Sequence, residues 1–485
     1  MHFLNRHSER LRLDRLLARS DSALAVICGR RRIGKTRLLL EWRAVHGGIY
    51  FVGDQSTAPM QREQLSRAIE ESFPGFASVV YPSWRSLLSR LAREAAARNW
   101  RGPLILDEIP YLVSTSPELP SVLQAWLDTE AQQARLIVAI AGSSQRMMQG
   151  IVLDQSAPLY QRAREILDLQ PLPPVCLHDA FAVGDAAACV PLYAAWGGIP
   201  KYWELAADLG MNVFDQLEHL VLDPLGALHN EPNTLLFEED PPAIHARPLL
   251  EAIGAGAHQV SEIAARIGRP ATALSEPLAR LQELGLVRRE VPFGKTPRGT
   301  KVSLYRIDDP FCRLWFRVVA GNRAALVSGT RATRLLWLSR HWPSLVAAAW
   351  EDLCRSAVAR LPPDHPLGRL GPWMPASRWW AGRGEHPPGQ PSAEWDLVAD
   401  SCNADQALLG EVKWRETPLS AKDLRHEINR LRKRVRPLLG PNYAARSVRY
   451  VLCVPQIEDD TELDDTELDD TFLLTADAVF SSFGT

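Results

Sequence analysis

The stretch from Ile27 to Thr36, ICGRRRIGKT, constrains the fold more than any other part of the sequence. Two glycines are separated by four residues and are followed directly by lysine and threonine. An apolar run (ALAVIC) precedes them, and a segment with helical spacing (TRLLLEWRA) follows. This order of elements is a buried parallel strand, a glycine-rich turn and a helix. It directs backbone N–H groups toward an anion. The sequence therefore predicts an α/β domain with a parallel sheet and a phosphate-binding loop.

The predicted loop has an assignable chemistry. Its glycines allow the backbone to curl around phosphate groups. A lysine at the end of the loop supplies a point charge for β- and γ-phosphates, and the threonine hydroxyl can ligate Mg²⁺. We expect ATP and Mg²⁺ as cofactors, with the nucleotide held by Gly29, Arg30, Arg31, Arg32, Ile33, Gly34, Lys35 and Thr36.

A second motif, GPLILDEIPYL, follows the loop by about 70 residues. Its apolar residues predict a buried strand that ends at Asp107 and Glu108. Because the carboxyl ends of parallel strands present ligands, we expect Asp107 to hold Mg²⁺ through water. Glu108 would then orient and deprotonate the attacking water. A solvated strand end without function is the alternative.

Two further segments contain candidate nucleotide contacts. The strand RLIVAIAGSS ends in Ser143 and Ser144, whose hydroxyls could sense the γ-phosphate; an ordinary serine-rich turn explains them equally well. The segment PLYQRAREI contains Arg162 and Arg164. Either could act as an arginine finger, within the chain or across a subunit interface, although most arginines are simply surface residues.

With these motifs in place, the chain resembles the archaeal-type AAA+ ATPase family, near the STAND-type signalling ATPases. The resemblance covers nearly the whole chain and includes CGRRRIGKT, LILDEIPYL and AGSSQRMM. It also includes the lead-in residues Phe3, Arg6 and Glu9 and the motif residues Gly197, Gly198, Pro200 and Tyr202. The resemblance implies an ATPase core at 1–172 and a helical lid at 173–240, with Lys201 near the nucleotide.

The middle of the chain, 241–320, predicts a winged helix-turn-helix. VSEIAARIG reads as a helix capped by Ser261, and ATALSEPLARLQELG as a second helix. A hairpin with a basic turn follows, and its cations suit phosphate contact: Arg288, Arg289, Lys295, Arg298 and Lys301. A protein-binding or intramolecular module is the alternative, since Glu276 and Glu283 face outward from the presumed recognition helix.

The C-terminal part, 321–485, contains a second candidate chemistry. Asp396 lies in the predicted strand EWDLVAD, and Glu411 and Lys413 lie in LLGEVKW. Residues i and i+2 of a strand face the same way, so Glu411 and Lys413 project together and a neighbouring strand could bring Asp396 alongside. Two carboxylates can hold Mg²⁺ at a scissile phosphate. The pattern resembles the PD-(D/E)XK nucleases, and Glu351 resembles the glutamate on their first helix. A surface Glu-x-Lys pair is the alternative.

A basic helix follows this motif. Ser420 and Asp423 predict its start, and the predicted buried stripe is Leu424, Ile428, Leu431 and Val435. From Lys413 to Arg449 there are 11 Lys and Arg against 3 Asp and Glu, which favours contact with a phosphate backbone. An acidic insertion follows at 458–470. We hypothesise that it mimics DNA and occupies the basic helix.

The overall composition limits the class of protein and its cellular location. A formal net charge of −2 argues against a wholly basic nucleic-acid coat protein. The seven cysteines form no CxxC pair, which is typical of reduced thiols in the cytoplasm. No apolar run approaches ~18–20 residues, and the N-terminus lacks the features of a signal peptide. We expect a soluble cytoplasmic protein.

Two functions fit the sequence. In the first, ATP binding and hydrolysis control metal-dependent DNA cleavage by Asp396, Glu411, Lys413 and Glu351. In the second, ATP sets the conformation of a regulatory switch, and the winged helix and an inactive nuclease-like domain only bind DNA or a protein partner. A homo-oligomer is compatible with both.

Overall fold

The computed structural model describes residues 3–239 and 245–484, except 297, 299, 301, 382–393, 438, 440–442, 444, 445, 460–467 and 469. Lys301 and most of the acidic insertion therefore lie outside the described residues. The chain divides into two compact units. The first contains the residues up to Leu172, with Ile199–Lys201 and a stretch that begins at Thr234. The second begins at Pro173 and contains the rest of the predicted lid together with the predicted winged helix and C-terminal part.

The first unit is built on a five-stranded sheet in which every pair of neighbouring strands is parallel. The strands are β1 Ala23–Cys28, β2 Ile49–Val52, β3 Leu104–Asp107, β4 Ile137–Ala141 and β5 Ala163–Asp168. Their order is β2-β3-β4-β1-β5, so β4 lies between β1 and β3. All residues of β1, β3 and β4 are buried, as expected of a parallel sheet that is covered on both faces. The predicted α/β fold class is confirmed.

Helices cover both faces of this sheet. They are α1 His7–Leu17, α2 Lys35–His46, α3 Ala58–Glu70, α4 Trp84–Ala97, α5 Ile109–Thr115, α6 Leu119–Asp128, α7 Glu130–Gln133 and α8 Gln145–Met148, and a π-helical turn follows at Gln149–Leu153. One large core joins β2, β3 and β4 to α3, α4 and α6 through Leu65, Leu88 and Trp126. A capping box at Ser83 begins α4, because its hydroxyl accepts from the Ser86 N–H.

The second unit is largely helical before its sheet. Its helices include α9 Leu177–Phe181, α10 Ala186–Trp196, α11 Pro200–Ala207, α12 Val213–Leu217, α13 Glu231–Glu239, α14 Arg247–Gly254, α15 Val260–Ile267, α16 Ser275–Glu283, α17 Pro310–Leu314, α18 Arg323–Ser328, α19 Arg331–Val358, α20 Pro366–Arg369, α21 Ala421–Arg432 and α22 Ala476–Ser481. The boundary between the units falls inside α11 and α13. Shorter 3₁₀ or π turns are Pro174–Cys176, Glu218–Leu222, Ala271–Leu274, Trp315–Val319 and Ala320–Asn322.

Within the described part of the chain, no single helix is both long and apolar enough to cross a membrane. The segments Pro174–Phe181 and Ala186–Trp196 meet that requirement only as a pair, and they are bent by 100°.

The middle segment has the predicted order of elements. After α14, α15 and α16 come β6 Val287–Glu290 and β7 Leu304–Ile307, which pair antiparallel. Two details differ from the prediction. Gln259, not Ser261, caps α15, because Glu262 reaches back to its backbone N–H. The second predicted helix begins as the 3₁₀ turn Ala271–Leu274 and only then becomes α16.

The C-terminal sheet has five strands in the order β12-β11-β10-β9-β8. They are β8 Ser377–Trp380, β9 Glu394–Asp400, β10 Gln406–Val412, β11 Ser447–Cys453 and β12 Thr471–Leu474. The first two pairings, β8 with β9 and β9 with β10, are antiparallel, and the others are parallel. The sheet is therefore mixed.

The basic helix α21 packs on this sheet with part of its predicted stripe. Leu424, Ile428 and Leu431 are buried in the C-terminal core. Ser420 caps the helix through the Asp423 N–H, as predicted. Val435 was wrongly assigned to the stripe: the helix ends at Arg432, and Val435 is 43 % exposed. The helical period does not extend past the last helical residue.

Candidate functional site

The predicted phosphate-binding loop connects β1 to α2. Gly29 has φ +133°, and a Cβ at this position would lie 2.8 Å from the carbonyl oxygen of Leu169. Gly34 has φ +96° and is the residue from which α2 begins. The backbone conformation therefore requires both glycines, and close packing adds to the requirement at Gly29. The loop ends at the N-terminus of a 12-residue helix, which favours negative charge.

The side chain of Lys35, which follows Gly34 in the chain, folds back into the loop. Its ammonium donates to the carbonyl oxygens of Gly29, at 2.8 Å, and Arg30, at 2.9 Å. The side chain is buried. An ammonium is therefore already held within the curl of the backbone, where phosphate oxygens are the expected partners.

The other loop residues support the backbone. Arg32 has φ +64°, which fits the tight curl. Arg31 donates to the Tyr111 hydroxyl at 3.2 Å. Ile33 is buried, and its carbonyl oxygen accepts from Arg6 Nη2 at 3.1 Å. The arginine side chains are thus placed around the loop, and the isoleucine anchors it.

The carboxylate of Asp107 is the centre of the site's metal-ligand group. Its Oδ2 accepts from Thr36 Oγ1 at 2.7 Å, and its Oδ1 accepts from the Glu108 N–H at 2.9 Å. The structure therefore brings together the two predicted magnesium ligands, from β3 and from the start of α2. A hydroxyl and a carboxylate are the hard oxygen donors that Mg²⁺ prefers, so the donor set fits the ion.

Glu108 is held next to this pair. Its backbone is left-handed, with φ 49°, so that the chain turns sharply from β3 into α5. Ser143, at the end of neighbouring β4, donates its hydroxyl to Glu108 at 2.8 and 2.9 Å. Ser143 therefore contacts the predicted catalytic carboxylate directly. Ser144 has a local role, since its Oγ accepts from the Met147 N–H at 3.4 Å where α8 begins.

Arg162 and Arg164 are far from the loop within the chain. The register pairs Leu24 with Ala163 and Cys28 with Asp168. The two arginines therefore lie at the N-terminal ends of these parallel strands. The phosphate-binding loop follows the C-terminal end of β1, at the opposite end of the strands. Arg162 pairs with Asp128 at 2.9 Å, and Arg164 lies 3.8 Å from Asp21. A finger role within the chain is therefore wrong for these arginines, and a role across a subunit interface stays a prediction.

Two residues at this site have roles that the sequence alone did not assign. Arg6 is buried and donates to the carbonyl oxygens of Ile33 and Gln170, so it ties the lead-in segment to the loop. Tyr50, in β2, donates its hydroxyl to Asp107 Oδ2 at 2.8 Å. Burial raises the pKa of Tyr50 far above its usual range, and the charge of Asp107 adds to the effect. A tyrosine in a strand is common, so only the strand order could have identified it.

The Tyr50→Phe variant is expected to hydrolyse ATP about 3- to 10-fold more slowly and to require more Mg²⁺. The phenol orients the same carboxylate oxygen that receives Thr36, and one such hydrogen bond contributes roughly 0.5–1.5 kcal/mol. Steady-state phosphate release over a Mg²⁺ titration measures both effects. Tyr160→Phe, in the same unit but outside the site, is the control. An unchanged Mg²⁺ titration would show that Tyr50 does not position Asp107.

The glycine-proline motif also reaches the loop. Pro200 belongs to the first unit, and its Cγ would lie 3.8 Å from a Cβ built on Gly34. The motif that the resemblance assigned to the lid therefore contributes one residue next to the phosphate-binding turn.

The second candidate site lies on β9 and β10. These strands are antiparallel, and Gly410 pairs with Leu397. The next positions along them are Glu411 and Asp396. Asp396 Oδ2 accepts from the Val412 N–H at 3.1 Å, and Lys413 Nζ lies 2.6 Å from Glu411 Oε1. The structure therefore brings Asp396, Glu411 and Lys413 together.

The two carboxylates influence each other. The pKa of Asp396 is raised to about 6, first by burial and then by the charges of Glu411 and Glu351. Glu351, on α19, pairs with Arg355 at 3.4 Å. In the part of the chain that the structure describes, no three His, Cys, Asp or Glu side chains are grouped closely enough to hold a metal ion. Glu351 thus lies near the other two carboxylates without completing a metal-ligand group.

Arg434 is a further member of this site. Its guanidinium contacts both carboxylate oxygens of Glu411, with Nη2 at 3.1 Å from Oε1. It also lies over the Trp395 ring at 5.4 Å. Arg434 follows α21, in the basic segment that the sequence assigned to phosphate contact, and here it neutralises the candidate metal ligand.

Comparisons with known proteins agree with the N-terminal site. Residues 3–182 match a family described as an ATPase domain predominantly from Archaea, and residues 315–427 match a family described as archaeal and bacterial proteins of unknown function. An uncharacterized protein of Methanocaldococcus jannaschii is 26 % identical over 416 residues, covering 85 % of this chain and 88 % of the relative.

One solved structure supports the fold. A Walker-type ATPase of Pyrococcus abyssi has a TM-score of 0.52 at 18 % identity, covering 65 % of this chain and 96 % of its own. An ORC2 protein of Aeropyrum pernix covers 71 % of this chain and 95 % of its own, at 14 % identity and a TM-score of 0.44. The match of residues 3–182 and the geometry of the loop agree on an archaeal-type P-loop ATPase domain in the first unit.

Proposed function

Because the first unit contains an archaeal-type P-loop ATPase domain, we propose that ATP binding and hydrolysis there control metal-dependent DNA cleavage by the second unit. The observation that carries the proposal is the group formed by Asp396, Glu411 and Lys413 on adjacent strands. Two neighbouring carboxylates with an ammonium beside one of them are a suitable arrangement for metal-dependent hydrolysis of a phosphodiester.

In the first unit, Thr36 and Asp107 would hold Mg²⁺, which neutralises phosphate charge when it is bound. Lys35 binds the β- and γ-phosphates. Glu108, held by Ser143, accepts a proton from the attacking water. These assignments follow from the hydrogen bonds of the loop and of the two neighbouring strands.

In the second unit, Asp396 and Glu411 offer hard carboxylate oxygens, which suit Mg²⁺ and its role as a Lewis acid. Lys413 would stabilise negative charge on the phosphate. The apolar side of α21 faces the core, so its exposed cations face solvent, and their charge supports contact with a phosphate backbone. They include Lys422, Arg425 and Arg430.

A regulatory switch without cleavage is the second candidate. Arg434 favours it, since its guanidinium occupies both oxygens of Glu411. A metal ion would have to displace this ion pair. In a switch, the same contact would be permanent, and the second unit would only bind DNA or a protein.

Incubation of the full chain with supercoiled plasmid and Mg²⁺ tests the proposal. We expect nicking by the native protein and at least a tenfold loss of nicking in Lys413→Ala, because a charge next to the scissile phosphate is removed. Arg415→Ala is the matched control, since Arg415 is an exposed cation two residues away. Both variants should retain ATP hydrolysis.

The outcomes separate the two candidates. Absence of nicking by the native protein, with phosphate still released from ATP, would reject cleavage and favour the switch. Equal nicking by Lys413→Ala and the native protein would remove Lys413 from the proposed site.

A further inference from the structure

A cationic cleft lies between the hairpin β6–β7 and the C-terminal sheet, within the second unit. Its volume is about 750 Å³. The lining contains six cationic side chains and two carboxylates. The cations are Arg288, Arg289, Lys295, Arg355, Arg360 and Arg378, and the carboxylates are Glu290 and Asp352. We call this the wing cleft. The proposed function of the second unit does not assign a role to the wing cleft.

The floor of the wing cleft is a buried ion-pair group. Asp352 Oδ1 accepts from Arg288 at 2.5 Å and from Arg355 at 2.7 Å, and its Oδ2 accepts from Arg313 at 2.6 Å. Burial alone would raise the pKa of Asp352, but these arginines lower it well below its usual range. Arg288 was predicted to contact phosphate, and this was wrong, because it binds three carboxylates: Asp352, Glu290 and Asp308.

Four further cations line the cleft. Lys295 and Arg360 are exposed at its rim, while Arg289 and Arg378 are half-buried. Arg289 Nε and Arg378 Nη1 are buried atoms that have no hydrogen-bond acceptor among the described residues. A buried donor without an acceptor is unfavourable, so the cleft is suited to an anion that supplies oxygen acceptors.

The cleft also has an apolar wall and a fixed shape. Phe293 lines it, and the Phe293 N–H donates to the Arg378 carbonyl oxygen at 2.8 Å, which joins the hairpin to β8. The rings of Phe293 and Tyr443 pack edge to face, with their centroids 6.1 Å apart. Cations beside an aromatic ring form the usual surface for a single nucleic-acid strand, where bases stack and the backbone is neutralised.

The wing cleft is directly connected to the candidate carboxylates. Arg355, on its floor, donates to the Asp396 carbonyl oxygen at 3.0 Å and pairs with Glu351 at 3.4 Å. Arg378 is in β8, which pairs with the strand of Asp396. An anion in the cleft would therefore lie beside the site at which cleavage is proposed.

We propose that the wing cleft binds the phosphate backbone of a single DNA strand and holds it beside Asp396 and Glu411. The identification of the strand as the DNA substrate rests on the proposed function.

Fluorescence anisotropy of a labelled oligothymidylate with the full chain, in EDTA, tests this binding without cleavage. We expect Lys295→Ala/Arg360→Ala to bind about tenfold more weakly at moderate salt. The slope of log affinity against log salt should fall by about 1.4, since each lost phosphate contact contributes about 0.7 for a single strand. Arg340→Ala is the control, because Arg340 is an exposed cation of α19 that does not line the cleft.

Three results would overturn the proposal: native affinity in the double variant, an equal loss in the control, or a larger cleft-dependent affinity for duplex than for single strand. The test is independent of cleavage. Cleft-dependent binding by a protein that never nicks plasmid would reject the proposed function alone. Nicking by the native protein, together with native affinity in the double variant, would reject the cleft alone.

Discussion

Lys35→Ala is expected to lower ATP hydrolysis at least a hundredfold. The ammonium is fixed within the loop by two carbonyl oxygens, so it is already in place for the β- and γ-phosphates. Preorganised charge of this kind, acting on a transferring phosphoryl group, contributes roughly 10²–10³ to the rate. Alanine also removes part of the ground-state attraction, so nucleotide affinity should fall as well. Phosphate release and fluorescent-nucleotide binding measure the two losses separately.

Arg37→Ala is the matched control for Lys35. Arg37 lies two residues further along α2, is exposed, and pairs with Glu41 at 3.0 Å. Its removal should leave hydrolysis within about twofold of native, as expected for a surface ion pair. Native hydrolysis in Lys35→Ala would contradict the assignment of the loop.

Glu108→Gln is expected to bind ATP almost normally and to hydrolyse it about 10²–10³-fold more slowly. The amide keeps the shape of the side chain and an oxygen for the Ser143 hydroxyl. It cannot accept a proton from water, and a general base of this kind contributes about 10²–10⁴. The variant should therefore accumulate bound ATP, which single-turnover measurements can detect.

Two controls separate chemistry from structure at Glu108. Glu118→Gln alters an exposed glutamate of the same unit and should have no effect. Ser143→Ala removes only the hydroxyl that holds Glu108, so hydrolysis should fall by about 3- to 10-fold, well short of the loss in Glu108→Gln. Hydrolysis that survives in Glu108→Gln would assign the base to another residue.

The sequence predicted the N-terminal site well because its residues follow local rules. The glycines, Lys35 and Thr36 are adjacent in the chain, and Asp107 and Glu108 end an apolar strand. The parallel sheet then places those strand ends along the same edge. The role of Tyr50 was not predictable, because it depends on the pairing of β2 with β3. Strand order is a tertiary property that no local pattern specifies.

The same limit explains the errors. Arg162 and Arg164 begin a strand that is parallel to β1, which places them at the edge away from the loop. Arg288 has the sequence environment of a solvent-exposed wing, yet it binds Asp352, which is 64 residues further along the chain. Long-range ion pairs cannot be read from charge patterns, since both exposed and buried cations produce the same local sequence.

The C-terminal constellation was predictable in part. The i, i+2 spacing placed Lys413 at Glu411, as the 2.6 Å contact shows. The pairing of β9 with β10 brought Asp396 alongside. Arg434 was counted only as one cation of a basic segment, because its contact with Glu411 requires the chain to return to the sheet after α21.

The most direct test of the central claim is plasmid nicking in Mg²⁺ by native protein and by Lys35→Ala, each with and without ATP. Control of cleavage by the nucleotide predicts that ATP changes the nicking rate of the native protein and has no effect on Lys35→Ala. Nicking by the native protein that is the same with and without ATP, at a rate that Lys35→Ala shares, would contradict the account.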